Sequence, residues 1–339
     1  MEENNKGLRF YRIICRSSAT LLFATFIFTW FHLAGAQQPA KVPRIGYIAP
    51  TGPENTNYAA FLRGLRDLGY IEGKNILVEY RSMEGNRDRI PSLMAELVQL
   101  QVDILVSPNA PTILAAKQAT RTIAIVMVVN TDPVASGLVD SLAHPGGNIT
   151  GITRLTRDLS GKRLEVLKEV VPGISRVGVL EDADAPVQSK AFKDYDAAGR
   201  ALKIQLQSLE VRGPNPDLEG AFRAAVKGRV RALIATQTTV LVPYPKKIAD
   251  LAIKHRLPLM FESSRTVEAG GLLSYSSNEP ENFKRAAYYV DRILKGAKPA
   301  ELPVEQPTKF EFVINLKTAK TLGLTIPPDV LARANKIIR

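Results

Sequence analysis

From Pro43 onward the chain alternates short β-branched apolar runs with longer segments of helical period. The runs Arg44 to Ala49 (RIGYIA), Ile76 to Tyr80 (ILVEY), Asp103 to Ser107 (DILVS) and Ile123 to Val129 (IAIVMVV) predict strands. Between them, residues 58–68 place Phe61, Leu62, Leu65 and Leu68 on one face, and residues 90–100 do the same with Ile90, Leu93, Met94, Leu97 and Leu100. Strand and helix in alternation predict a parallel sheet covered on both faces.

The second half repeats this order. Arg176 to Leu180 (RVGVL) echoes Arg44 to Ile48 at an offset of 132, and Ala232 to Thr236 echoes the strand at Ile104 at 128. Leu257-Pro258-Leu259-Met260 answers Ile123 to Val126 at 134, and Gly271-Leu272-Leu273 answers Gly137-Leu138-Val139 at the same step. Four matches in one order predict two similar α/β lobes, with the second starting near Asp158. A helix over 280–295 carries Phe283, Ala286, Ala287, Val290, Ile293 and Leu294 on one side. A Pro-punctuated stretch to Pro307, a strand at Phe310 to Ile314 and a last helix over 328–338 follow. This tail is too short for a third domain and is expected to pack back across both lobes. The expected division is a first lobe of 37–155 with about 280–303 and a second of 156–279 with about 304–339.

Before the repeats stand Lys6, Arg9, Arg12 and Arg16, an apolar stretch from Ala19 to Leu33, and Ala34-Gly35-Ala36. A basic segment, an apolar core and a small-x-small site read as a secretory signal peptide over 1–36, cleaved after Ala36. The alternative is an uncleaved anchor helix, for which the stretch falls short of the roughly 20 residues that a span needs. The single cysteine, Cys15, precedes the apolar core and leaves with the peptide. The mature chain then has no disulfide, no thiolate nucleophile and no cysteine metal ligand. The net charge of +12 is the balance of 45 Lys+Arg and 33 Asp+Glu. Losing four basic and two acidic side chains leaves +10. The clusters Lys246-Lys247, Lys254-His255-Arg256 and Arg229-Val230-Arg231 have the spacing of solvated helix faces without interleaved aromatic residues, so no nucleic-acid partner is expected.

Enzyme signatures are missing: no G-x-G-x-x-G after a strand, no phosphate loop, no H-E-x-x-H and no G-x-S-x-G. No cofactor or metal is called for. Polar residues instead cluster just after the predicted strand ends, where open α/β sheets bind ligands. In the first lobe these are Pro50 to Glu54, Ser107-Pro108-Asn109 and Asn130 to Pro133. In the second they are Glu181 to Asp184, Thr236-Gln237-Thr238, Glu262-Ser263-Ser264 and Tyr275-Ser276. From these loops and the His144-Pro145-Gly146-Gly147-Asn148 turn, the candidate ligand-binding residues are Thr51, Ser107, Asn109, Asp132, Asn148, Glu181, Thr236, Glu262 and Tyr275. Helix capping competes with ligand contact at each of them.

The run Arg44-Ile45-Gly46-Tyr47, the segment Leu62 to Tyr70 with Gly73-Lys74-Asn75-Ile76, and Leu114 to Thr120 resemble one family. So do Asp132-Pro133-Val134, His144 to Gly151, Gly161 to Glu165, Leu251 to Pro258, Glu268 to Leu272 and Phe312 to Ala319. The similarity is to ABC transporter substrate-binding proteins of the tryptophan-binding-protein-like group. It implies a type I periplasmic-binding architecture: two Rossmann-like lobes with parallel sheets, joined by three hinge crossings, closing on a ligand. It further implies a monomeric, non-enzymatic periplasmic receptor. Its partners would be a small polar molecule, an amino acid with aromatic ones favoured, and an ABC permease in the inner membrane with its ATPase. Where the family often has an Asn-Pro-x-Asn-Pro type loop, this chain has Leu180-Glu181-Asp182-Ala183-Asp184-Ala185-Pro186, whose acidity favours a ligand with an amine or another cation. A sensory input to a membrane kinase and an exported enzyme are the competing readings.

Overall fold

The computed structural model describes residues 41–154, 159–185 and 191–339. The expected signal peptide lies outside these residues, and no helix among them is long and apolar enough to cross a membrane. Pro43–Arg339 forms one compact unit.

Its first sheet contains β1 (Arg44–Ala49), β2 (Leu77–Ser82), β3 (Ile104–Ser107), β4 (Ala124–Val129) and β5 (Ile149–Thr153), all parallel in the order β2-β1-β3-β4-β5. Every residue of β3 and β4 is buried, because helices cover both faces. Helix α1 (Thr56–Asp67) and a late helix, α9 (Glu279–Leu294), cover one face. Helices α2 (Ile90–Gln99) and α3 (Ala110–Ala119) cover the other. Helix α1 approaches α9 closely at Gly64, where a Cβ would stand 2.8 Å from that of Ala287 and 2.9 Å from the Lys284 carbonyl oxygen.

The second sheet repeats the order with β7 (Gln205–Val211), β6 (Arg176–Asp182), β8 (Ala232–Ala235), β9 (Leu259–Phe261) and β10 (Leu273–Ser277). It is extended by β11 (Phe310–Asn315), antiparallel to β10, and by β12 (Lys336–Ile338), parallel to β11. Helices α4 (Ser160–Val170) and α5 (Phe192–Leu202) pack on one face with the tail helices α10 (Leu316–Leu322) and α11 (Pro328–Ala332). Helices α6 (Leu218–Lys227) and α7 (Pro245–Lys254) pack on the other, and the short α8 (Ser264–Glu268) follows β9.

The chain passes from the first sheet to the second between Thr153 and Ser160, returns between Ser277 and Glu279, and passes again between Glu305 and Phe310. The last passage lies against β5, where the Thr153 amide donates to the Glu305 carbonyl and the Glu305 amide to that of Gly151. Two expectations need correction. The predicted helix over 328–338 stops at Ala332, and Lys336–Ile338 instead pair with Val313 to Asn315 as a short edge strand. Gly137-Leu138-Val139 is a turn with Gly137 at φ +65°, so the counterpart of β10 in the first sheet is β5. Leu138 and Val139 are buried and apolar, which made turn and strand look alike in sequence.

Candidate functional site

In both sheets the connections leave to opposite faces on either side of one gap, between β1 and β3 and between β6 and β8. Loops diverge at such a gap and expose backbone and side chains at the carboxyl ends of the strands. A cleft with about 1050 Å³ of empty space, part of it open to solvent, lies where these two edges meet. The first sheet contributes Tyr47, Ala49, Pro50 and Thr51 at the end of β1, Pro108 and Asn109 after β3, Asn130 and Thr131 after β4, and Arg154 after β5. The second contributes Glu181 and Asp182 at the end of β6, Thr236 to Thr239 after β8, Glu262 after β9 and Arg265 from α8. Asn57 of α1 and Arg87, in a 3₁₀ turn before α2, complete the polar wall.

Five expected residues therefore line the cleft: Thr51, Asn109, Glu181, Thr236 and Glu262. Four lie elsewhere. Ser107 is buried behind the wall, its hydroxyl accepting from the Asn109 amide. Asp132 is exposed and holds a turn by accepting from the Val134 and Ala135 amides. Asn148 precedes β5 at the opposite edge of the sheet, where its amide donates to the Thr120 and Ile123 carbonyls. Tyr275 sits in the middle of β10 rather than at its end, and its ring lies 6.2 Å from Phe310 and 6.0 Å from Phe312. Asn109 caps a helix and also reaches across the cleft. Its Oδ1 accepts from the Thr112 amide to cap α3, and its Nδ2 donates to Thr239 Oγ1 in the other lobe.

Residues that sequence reading missed do much of the bridging. Gln237 uses its backbone and side chain together. Its amide donates to Glu262, its carbonyl accepts from Asn130, its Oε1 accepts from Arg154 and its Nε2 donates to Glu279. Arg87 pairs with the fully buried Asp182 carboxylate and donates to the Asp184 carbonyl. Thr131, Gln237 and Asp182 all stand in loops singled out from sequence, one position from the residue chosen. Arg154 stands at the start of the first crossing, directly after β5. Arg87 and Arg265 carried no sequence signal.

The lining charges other than Arg265 are tied down by protein partners. Behind the cleft Arg163, completely buried in α4, donates to Glu262 Oε1 at 3.0 Å and to the Tyr195 hydroxyl at 3.1 Å, and that hydroxyl donates to the same Oε1. Burial works to lower the Arg163 pKa, but Tyr195 and Glu262 outweigh it and hold it raised. Arg154 is buried too, and there burial prevails and lowers its pKa against the pull of Glu279, 3.6 Å away. Burial also raises the pKa of Asp182 despite Arg87. Burial raises Tyr47, which stacks on Tyr80 and meets Tyr58 edge-on. Several buried polar atoms of the lining have no protein partner: Asn57 Oδ1, Arg87 Nε, Thr131 Oγ1, Arg154 Nε and Thr238 Oγ1. Buried polar groups are normally satisfied by protein or by water, so these atoms keep hydrogen-bonding capacity to offer inside the cleft. Among the described residues no group of His, Cys, Asp and Glu could hold a metal ion.

Comparison with known proteins gives this geometry a context. Residues 54–338 match the family described as ABC transporter substrate binding protein. A tyrosine-binding protein of Clostridioides difficile (strain R20291) is 25% identical over 268 residues, which are 78% of this chain and 75% of that protein. Among solved structures, a conserved domain protein of Vibrio cholerae is 27% identical with TM-score 0.81, covering 88% of this chain and all of that one. An ABC domain from Streptococcus pneumonia in complex with L-Trp is 23% identical with TM-score 0.79, covering 87% of this chain and 99% of that one. The type I periplasmic-binding fold extends to a leucine binding protein of Thermotoga maritima at TM-score 0.52 and 15% identity.

Proposed function

Because the chain belongs to the ABC transporter substrate binding protein family, we propose that it is a non-enzymatic receptor that traps a small solute between its lobes and delivers it to a membrane permease and its ATPase. The lobes are the segments read from sequence, 37–155 with about 280–303 and 156–279 with about 304–339, hinged at their crossings. On this reading the segment over 1–36 is a signal sequence that sends the mature chain to the periplasm, where it works as a monomer.

The solute is an amino acid with an aromatic side chain. The observation that carries this reading is the set of orphaned polar atoms on both lobes, facing one cleft at the switch points of both sheets. Apolar walls from Tyr47, Pro50, Pro108, Pro111 and Val242 give a flat side chain surface to lie against. The names of the tyrosine-binding and L-Trp-complexed relatives point the same way.

A thermal-shift screen of the mature chain against the amino acids tests the reading. A ligand at 100 times its dissociation constant adds about 2.7 kcal/mol to stability. We expect L-tryptophan, L-tyrosine or L-phenylalanine to raise the melting temperature and glycine or L-alanine to leave it unchanged. No shift with any aromatic amino acid would discard it.

A further inference from the structure

The acidic residues at the mouth of the second lobe suggest, from sequence, a site for a cation. Their hydrogen bonds point the other way. Both oxygens of Glu262 accept from protein donors: Oε1 from Arg163 and Tyr195, Oε2 from the Gln237 amide. Both oxygens of Asp182 are engaged, by Arg87 and by the Asp184 amide, and both of Glu181, by Ser208 and the Phe192 amide.

The unmet capacity is on the cationic side. Arg154 is 3% exposed, spends one terminal nitrogen on Gln237 and Glu279, and leaves its Nε–H without an acceptor. The Nε–H of Arg87 is likewise unmatched, and the Arg265 side chain reaches the same cleft with no hydrogen bond or ion pair to the described residues. A guanidinium N–H can only donate, and its strongest partner is an anionic oxygen. Of the orphaned lining atoms, one is an acceptor alone: Asn57 Oδ1, a neutral amide oxygen. Asn57 and Arg154 lie close together, since Asn57 Nδ2 donates to Glu279 Oε2 at 2.9 Å while Arg154 approaches Glu279 Oε1. The cleft thus sets a charged donor beside an uncharged acceptor.

We infer that the solute is recognised first through a carboxylate, held by Arg154 with Arg87 or Arg265, and that an α-ammonium adds little, so that aromatic carboxylic acids without an amine are also ligands. This deepens the amino-acid reading above and rests on it for the aromatic side chain. The physical reason is an asymmetry of loss. A ligand lacking the carboxylate leaves buried guanidinium donors unpaired in a closed cleft, whereas one lacking the ammonium leaves unpaired only a neutral amide oxygen, which costs less than an unpaired charged group.

Isothermal titration of the mature natural chain with two matched series tests this. One is L-tryptophan, indole-3-propionate and tryptamine. The other is L-tyrosine, 3-(4-hydroxyphenyl)propionate and tyramine. The expected result is that the amine-free acid binds within about tenfold of the parent amino acid, while the carboxylate-free amine is at least about a hundredfold weaker. An acid that loses as much affinity as the amine, or more, overturns the inference. If no amino acid binds but an acid does, the amino-acid reading fails and the carboxylate assignment stands. Binding of the amines alone, or of none of the six compounds, overturns it.

Discussion

Among the described residues Arg163 is the largest fully buried side chain, and its charge is offset by Glu262, buried with it, while the Tyr195 hydroxyl and the Tyr275 carbonyl accept further hydrogen bonds. The price of a buried ion in isolation is several kcal/mol, so removing one partner costs far more than the pair contributes. Glu262→Gln keeps the shape but removes the countercharge, and is expected to lower stability by about 3 kcal/mol or more, read by urea denaturation. A loss under 1 kcal/mol would show that Arg163 is held without the Glu262 charge, the Tyr195 hydroxyl and the Tyr275 carbonyl sufficing. The same residue shows what sequence could and could not reveal about the site. Its position after a strand made Glu262 a candidate, and it does line the cleft, yet its carboxylate braces Arg163 and the Gln237 amide. Position after a strand places a residue at the right edge but does not fix which way its side chain is spent. Asp132 turned to its own loop while its neighbour Thr131 took the cleft. Asn148 lies away from the cleft because its turn leads directly into the start of β5 rather than following the end of a strand.

At the scale of elements, alternation of apolar runs and helical period was enough to find β1 to β4, β6 and β8 to β11, because strands buried on both faces read as continuous apolar text, but not β5 or the half-exposed edge strand β7. Pairing was beyond it. Nothing in Lys336-Ile337-Ile338 separates the end of a helix from an edge strand, since three residues hold no period. Nor does sequence reveal that α9, late in the chain, packs on α1 near its start. Gly64 records that contact. In an open helix, alanine would be favoured over glycine by about 1 kcal/mol. Here the added Cβ meets Ala287 and the Lys284 backbone at under 3 Å, and backbone cannot swing aside as a flexible side chain can. Gly64→Ala is therefore expected to reverse sign and destabilise by roughly 1–3 kcal/mol. Calorimetry decides it: a raised melting temperature would mean that α1 and α9 separate without cost. Because α9 begins with Glu279, which meets both Asn57 and Gln237, loosening this helix pair should also weaken the cleft.

Across the whole molecule, the working parts are two sheets whose carboxyl edges meet, and Gln237 is the residue that ties one to the other. Its side chain bonds a cation and an anion that both come from the first lobe's side of the cleft, Arg154 and Glu279. Hydrogen bonds to charged groups contribute about 1.5–3 kcal/mol each when formed in a dry site. An open form would offer water to the same groups, so only part of that sum favours closure. Gln237→Ala, which keeps the backbone bonds to Asn130 and Glu262, is expected to cost closure about 2 kcal/mol. If only the closed form retains solute, apparent affinity falls by about 30-fold. The loss should appear mainly as faster dissociation, since the closing bonds form after encounter. Small-angle scattering supplies the second half of the test. The variant should be more expanded than the natural chain at equal ligand concentration and equally compact at saturation. Unchanged affinity and dimensions would mean that Gln237 keeps both bonds when the lobes part, leaving closure to the Arg87–Asp182 and Asn109–Thr239 contacts.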